Sequence, residues 1–444
     1  MLAASLFISG SALAAPGQLV WEADYMGSPG KDVATARGLA IGPGGELAVA
    51  GYVEHADGNH NYLIIRYGPY GTTDWIREYE YSWYDVGGAV TFQKDGSIIV
   101  AGASGNPSNP RDSYSGAYYN DYRVVKYSGG GDLLADMSAS AYRKNNDPAG
   151  VAADGDGNIY VTGMAMNAPN TSPVFYTVKF GPDGAIAWEK VDEWGAEAYG
   201  TAIKLDGDGN PVVAGYFKDP SNDSYSIRVL RYDKTSGRTL MDAAYDDRSG
   251  NEKAWGIALD HEGDIYVTGE TDANGGTTLT LKYGPGGDLL WARQYAGVNY
   301  RNRGNSVAVD GNGRVWVVGK VFKEDQAGDW LLLAYDEDGN LLLDKTYSFG
   351  GDGSAESVAV DASGNLAVTG NTLTQGPQGQ QGMIRTVRID GIHGSGGFGK
   401  KSAPILGLTM PYQEWLFTDL ITPAISLMSG RLGCPDGVQL SPVN

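Results

Sequence analysis

In the stretch DGDGN, the side chains of Asp154, Asp156 and Asn158 offer oxygens at alternate positions, the spacing with which a loop can hold calcium. The stretch lacks the glycine and the distant bidentate glutamate that such a loop needs. A hairpin turn explains it better, because Asp caps a turn through its side chain and Gly supplies a positive φ. GSGGFGKK, Gly394 to Lys401, falls one residue short of a phosphate-binding loop and sets Lys401 where Ser or Thr must hold magnesium. No strand precedes it in a strand-loop-helix frame, so neither a metal nor a cofactor is expected.

Nucleophilic chemistry has few parts to draw on. There is no Gly-x-Ser-x-Gly, no His-Glu-x-x-His and no sialidase-type Ser-x-Asp-x-Gly-x-Thr-Trp box, and the one cysteine, Cys434, lies in an irregular tail. Of four histidines, His55 and His60 share a loop, His261 sits in a turn and His393 follows the last strand, so they do not converge. Acids are abundant, and glycoside hydrolysis needs only two carboxylates at a suitable separation. That separation is not readable from a sequence. The more distinctive chemistry is aromatic: Trp83-Tyr84 before Asp85, Trp194 after Glu193, Tyr199 near Glu197, Trp255 near Glu252, Tyr300 beside Arg301, and Tyr118 and Tyr119 in a tyrosine-rich loop. Flat apolar rings with a polar neighbour suit stacking on sugar rings or anchoring a peptide side chain. The competing reading is that such rings simply pack the core.

These residues are positioned by a repeat of about fifty residues. Its clearest copy runs GIALD, turn, IYVTG, loop, TLTLKY, turn, LLWARQY, from Gly256 to Tyr295, four short strands here named A to D. A Gly closing strand B recurs seven times, at Gly51, Gly102, Gly163, Gly215, Gly269, Gly319 and Gly370. Strand A ends in Asp at Asp154, Asp206, Asp260, Asp310 and Asp361, strand C ends in a basic-aromatic pair such as Lys282-Tyr283, and strand D carries Trp75, Trp188 and Trp291. The period predicts an all-β fold, a seven-bladed β-propeller with four strands per blade. The seventh copy has no strand D after Ile389, and LVWEADY, Leu19 to Tyr25, matches LLWARQY position by position. The N-terminal strand is therefore expected to close the last blade and cover its edge.

DGDGNIYVTG (Asp154 to Gly163) and GDIYVTGETDANGGTTLTLKYGPGGDLLWARQY (Gly263 to Tyr295) resemble the SBBP beta-propeller repeat, over roughly Leu19 to Ile389. NHL repeats are a weaker match, since they carry Asp where this chain has the strand-B Gly. The resemblance implies a propeller on an exported microbial protein and no shared catalytic residues.

In a propeller the A–B and C–D turns share one rim, and the B–C loops and D–A crossovers the other. Here the former are nearly uniform and the latter vary from blade to blade, which marks the variable rim as the binding face. The aromatic residues above fall on it. At one strand-A position Gly38, Ala89, Gly150, Ala202, Gly256, Ser306 and Ser357 are all small, which reads as a channel without catalytic side chains. Residues 1–15 have the apolar core and Ala-x-Ala site of a secretory signal peptide, 16–399 form the propeller, and 400–444 are a tail too short and broken in its apolar stretch to span a membrane. The net charge of −20 disfavours nucleic acid and anionic membrane surfaces. The expectation is an exported, non-catalytic propeller, periplasmic, cell-surface or extracellular, that binds a protein or glycan partner. The alternatives are a hydrolase or lyase using carboxylates around the channel, or a purely structural surface component; the oligomeric state is left open.

Overall fold

The computed structural model describes residues 16–28, 32–107, 119–167, 172–248, 250–297, 301–323, 327–376 and 379–392. The chain divides into two units, Met1–His393 and Gly394–Asn444, and every described residue belongs to the first. The expected leader and tail lie outside the described residues.

Runs rich in Val, Ile, Tyr and Thr, cut by Gly-bearing turns, pair as strands. Among the described residues, 28 strands form seven four-stranded antiparallel sheets. Blade 5 is typical, with A, B, C and D at Glu252–Leu259, Ile265–Thr271, Thr277–Tyr283 and Leu289–Tyr295. Strand A of each blade touches strand A of the next, and that of blade 7 (Asp352–Val360) touches that of blade 1 (Val33–Ile41). The sheets thus close into a seven-bladed propeller with strand A innermost. Strands B and C are buried on both faces, whereas the outermost strand alternates: in blade 5, Trp291 is buried while Leu289 and Leu290 are exposed. The hydrophobic clusters lie between neighbouring blades, so each blade is completed by the next.

Blade 7 takes its fourth strand from the other end of the chain. Leu19–Met26 pairs antiparallel with Gly379–Ile389, Leu19 opposite Ile389 and Met26 opposite Met383. The join extends two residues further than the strand match. Gly17 N–H donates to Asp390 O and Asp390 N–H to Gln18 O, each at 2.9 Å. Gly71 and Gly68 make the same pair of bonds within the continuous C–D turn of blade 1. Gly17, at φ 76°, stands where Gly71, at φ 83°, stands in that turn. Two chain ends rebuild a turn that other blades make covalently.

Strand D also explains its own tryptophans. Trp21, Trp75, Trp188 and Trp291 each lie against the C–D turn glycine of a neighbouring blade, Gly71, Gly131, Gly237 and Gly339. The indole N–H of Trp75, Trp188 and Trp291 donates to the backbone O of Gly129, Lys234 and Glu337 in those turns, at 3.0, 3.1 and 3.0 Å. Where Trp is missing, Met137 and Met241 fill the place beside Gly184 and Gly287.

The DGDGN turn behaves as a hairpin. Asp154 Oδ1 accepts the N–H of Asp156 and Asn158 at 3.0 and 2.9 Å, while its Oδ2 takes Asn158 Nδ2 at 2.7 Å and the Tyr160 hydroxyl at 3.2 Å. On the same rim, strand-C bases pair with turn acids, Arg231 with Asp206 at 3.1 Å and Lys282 with Asp264 at 2.8 Å.

Candidate functional site

One irregularity recurs in all seven blades. Strand A shifts register against strand B by one residue, leaving Arg37, Gly88, Ala149, Thr201, Trp255, Asn305 and Glu356 without a partner in the ladder. Such a bulge bends the strand and re-aims the extra side chain. It also accounts for the strand-B glycine. A Cβ on Gly51, Gly163, Gly269 or Gly319 would fall well inside contact distance of the backbone O of Thr35, Asp147, Lys253 or Arg303, the residue two before each bulge. Only glycine leaves room for that carbonyl.

The small residues after the bulge have a different role from the one expected of them. A Cβ on Gly38 would stand 2.9 Å from Gly88 O, one on Gly150 3.0 Å from Ile203 N, and one on Gly256 2.9 Å from the Ser306 Cα. They are small because adjacent innermost strands press together, and they say nothing about the channel. The channel side of strand A is its unpaired edge. Arg37 and Ala149 are exposed there between buried neighbours, whereas the Thr201 hydroxyl donates to Ala214 O at 3.1 Å and Asn305 reaches blade 7.

Blades 4 to 6 bring several of these positions into one cluster on the variable rim. Tyr199 stacks on Tyr216 with ring centroids 4.8 Å apart, and Tyr216 meets Tyr225 and Trp255 edge-on, both at 5.5 Å. Lys253 Nζ lies 4.5 Å from the Tyr225 ring centroid and 5.5 Å from that of Tyr216. The Arg303 guanidinium lies 5.7 Å from the Trp255 ring and 6.0 Å from Phe322. Contacts of this kind attract through the ring quadrupole. Glu197 anchors the cluster by accepting the hydroxyls of Tyr225 at 2.7 Å and Tyr199 at 3.1 Å. Burial, and then the Glu197 bond, push Tyr225 up to about 12, and burial with the Glu197 charge raises Tyr199. Both hydroxyls stay protonated and donating near neutrality.

Two expected residues, Tyr199 and Trp255, therefore meet here. Trp83 and Tyr84 lie across the ring, on the crossover from blade 1 to blade 2, 63% and 43% exposed. There Tyr84 packs on His60 at 5.3 Å, His60 on Tyr52 at 5.7 Å, and the Arg37 guanidinium lies 5.7 Å from the Tyr52 ring. Trp194 sits apart from both groups, edge-on to Phe175 at 5.3 Å with the Arg228 guanidinium 4.0 Å from its ring. Tyr119 is buried, only 5% exposed, with Lys144 4.5 Å from its ring. It therefore offers no open face. Tyr118 and Tyr300 lie outside the described residues. Sequence reasoning missed Tyr216, Tyr225, Lys253 and Arg303, which read simply as strand residues. The sequence carried no signal for them: Lys253 and Arg303 lie two residues before the bulge, at a place where Thr35 and Asp147 stand in other blades.

A recess of about 480 Å³ opens on the same rim between the blade 4 B–C loop and the crossover into blade 5, lined by Asp219, Ser221, Asn222, Ser224, Asp246 and Arg248. No group of three or more metal-ligating side chains gathers among the described residues.

No protein-family model matches the chain, and no curated protein matches it. Among solved structures it is similar to the β-propeller domain of the Trilobed protease from Pyrococcus furiosus, described as having an open velcro topology. The identity is 10% over 83% of this chain and 98% of that one, with a TM-score of 0.46. Sqt1 from Chaetomium thermophilum is similar at 13% identity over 78% of this chain and 84% of that one, TM-score 0.45. A puromycin hydrolase is similar at 12% identity over 82% of this chain and 62% of that one, TM-score 0.42. At these identities the likeness is one of fold.

Proposed function

We propose that this chain is an exported, non-catalytic propeller of SBBP-type repeats that binds a protein or glycan partner on its variable rim, at the channel mouth formed by blades 4 to 6. The observation carrying this reading is the unbroken series of contacts from Tyr225 through Tyr216 and Trp255 to Arg303 and Phe322. Tyr216 is buried, 8% exposed, and serves as the support, while Tyr225, Trp255, Arg303 and Phe322 around it are half-buried. A rigid, partly exposed aromatic base crossing three blades is what an interface hot spot requires. Three acids of this face are already engaged, which weighs against the hydrolase or lyase reading. Glu197 is held by two tyrosine hydroxyls, Glu270 pairs with Arg301 at 3.0 Å, and Asp352 pairs with Lys320 at 2.7 Å.

Trp255→Ala tests the assignment. On a partner captured by pull-down or glycan array, it is expected to weaken binding at least tenfold, the scale of about 1.4 kcal/mol or more seen at aromatic hot spots. Trp83→Ala, on the opposite side of the ring, should leave binding near the wild-type value. Equal binding by wild type and a folded Trp255→Ala protein would refute the placement.

A further inference from the structure

The cations of this rim fall into two groups. Arg301, Lys320 and Lys218 are each paired with a carboxylate, Glu270, Asp352 and Asp223, at 3.0, 2.7 and 2.8 Å. Arg303 has no ion pair among the described residues, although the chain carries a net charge of −20; Lys253 makes no salt bridge either, but it stands opposite Glu270 in the ladder and its charge acts on the Asp272 carboxyl. Both stand on the innermost strand two residues before the bulge, and both are half-buried. Arg303, which has rings and an amide beside it but no carboxylate partner among the described residues, is thus the cation of this partly desolvated place that is open to an anion from outside.

Arg303 is also built to receive one. Its Nε donates to Asn305 Oδ1 at 2.7 Å, and Asn305 is fixed in turn by donating to Ala355 O at 2.8 Å and Ser354 Oγ at 3.1 Å on blade 7. The guanidinium plane is therefore held by its inner nitrogen, which leaves the two terminal nitrogens for a planar bidentate acceptor, the geometry of a carboxylate. The neighbouring ring is Trp255, whose indole N–H is buried and has no acceptor. An aromatic face beside a pre-set carboxylate clamp, with the Lys253 ammonium on the next ring along, is a composite site for one ligand.

From this we infer that the mouth of blades 4 to 6 recognises a carboxylated sugar, a uronate unit of an acidic polysaccharide, with Arg303 taking the carboxylate beside the Trp255 ring and Lys253, on the Tyr225 side of the cluster, adding its charge. This rests on the binding reading above and names its ligand class. The mixed sign of the mouth favours a sugar over an acidic peptide. Glu197 and Glu356 on the same face can accept from the hydroxyls of a uronate, donors that the side chains of an acidic peptide lack.

The test uses the full chain with polygalacturonate, its fully methyl-esterified form and polyglutamate, by isothermal titration at low and physiological salt. Polygalacturonate should bind, the ester should bind at least tenfold more weakly, and Arg303→Gln and Lys253→Gln should each cost the acid form about tenfold while leaving the ester unchanged. Affinity for the acid form should fall as salt rises. Equal binding of acid and ester, no binding of the acid, or stronger binding of polyglutamate would each overturn the ligand class. If Trp255→Ala still abolishes capture of some other partner in those cases, the binding face survives and only its ligand is wrong. Melting curves of the Gln variants confirm that they fold, and Arg303→Lys, which keeps the charge but loses the fork, should recover only part of the acid binding.

Discussion

Glu252 shows how a single residue can set the pH response of a crossover. Its position, three residues before the bulge, carries Asp85, Asn146 and Asn302 in blades 2, 3 and 6, all fully buried. Asp85 there accepts the N–H groups of Tyr81 and Ser82 at 2.7 Å each, closing the crossover. Glu252, 0% exposed, instead accepts the Thr271 hydroxyl at 3.2 Å, and its other oxygen has no donor and faces acidic neighbours. Burial first, then the charge of Asp247 with a lesser part from Asp246, push its carboxyl from 4.5 up to about 8. The folded state thus holds a proton that the unfolded state releases. Its contribution to stability is full below about pH 4.5 and is lost as pH rises through about 8. Glu252→Gln should flatten that slope and raise the melting temperature at pH 8 to 9, since every tenfold difference in proton affinity between the folded and unfolded chain is worth about 1.4 kcal/mol. Urea melts of both proteins from pH 4.5 to 9 check it, and parallel slopes would refute the assignment.

At the scale of elements, the bulge of strand A and the glycine of strand B form one device. Gly269→Ala drives a Cβ into Lys253 O, which is backbone and has nowhere to move. We expect a loss of about 2 kcal/mol or more, at the upper end of overpacking costs. Gly311→Ala, in a turn with nothing near its Cβ, should be close to neutral in the same chemical melts. This device also marks the limit of what the sequence discloses. Gly269 repeats visibly because strand neighbours demand it in every blade, so strand number, blade number and the closing strand are all legible. The bulge is not, since it leaves no repeated residue type of its own: Arg37, Gly88, Trp255 and Glu356 share a place and nothing else. Tyr199 and Trp255 were findable as aromatics near acids. Lys253 and Arg303 were hidden because their importance lies in the rings they meet on neighbouring blades, which only three-dimensional placement reveals.

For the molecule as a whole, the ring depends on its last ladder. Deleting Gln18 to Tyr25 removes a strand and the burial of Trp21, worth about 1.5 to 3 kcal/mol for the side chain alone against a total of about 5 to 15 kcal/mol. Such a protein should melt markedly lower and aggregate through the freed edge of Gly379–Ile389. A circular permutant joining Asp390 to Gly17 through two residues, the length of every other C–D turn but the longer one of blade 4, and opened in the C–D turn at Pro285-Gly286, should fold and melt near the native temperature. Differential scanning calorimetry of the two proteins separates loss of the strand from mere relocation of the ends. The same closure gives the propeller a mechanical character. Gly17 and Asp390 leave the final ladder at the same end, beside the Leu19 and Ile389 pair. Tension applied between them would not shear the strands along their length. It would unzip them, breaking the hydrogen bonds pair by pair from Leu19 toward Met26, so the ring would open at its seam under a smaller pull than one that shears the same ladder along its length.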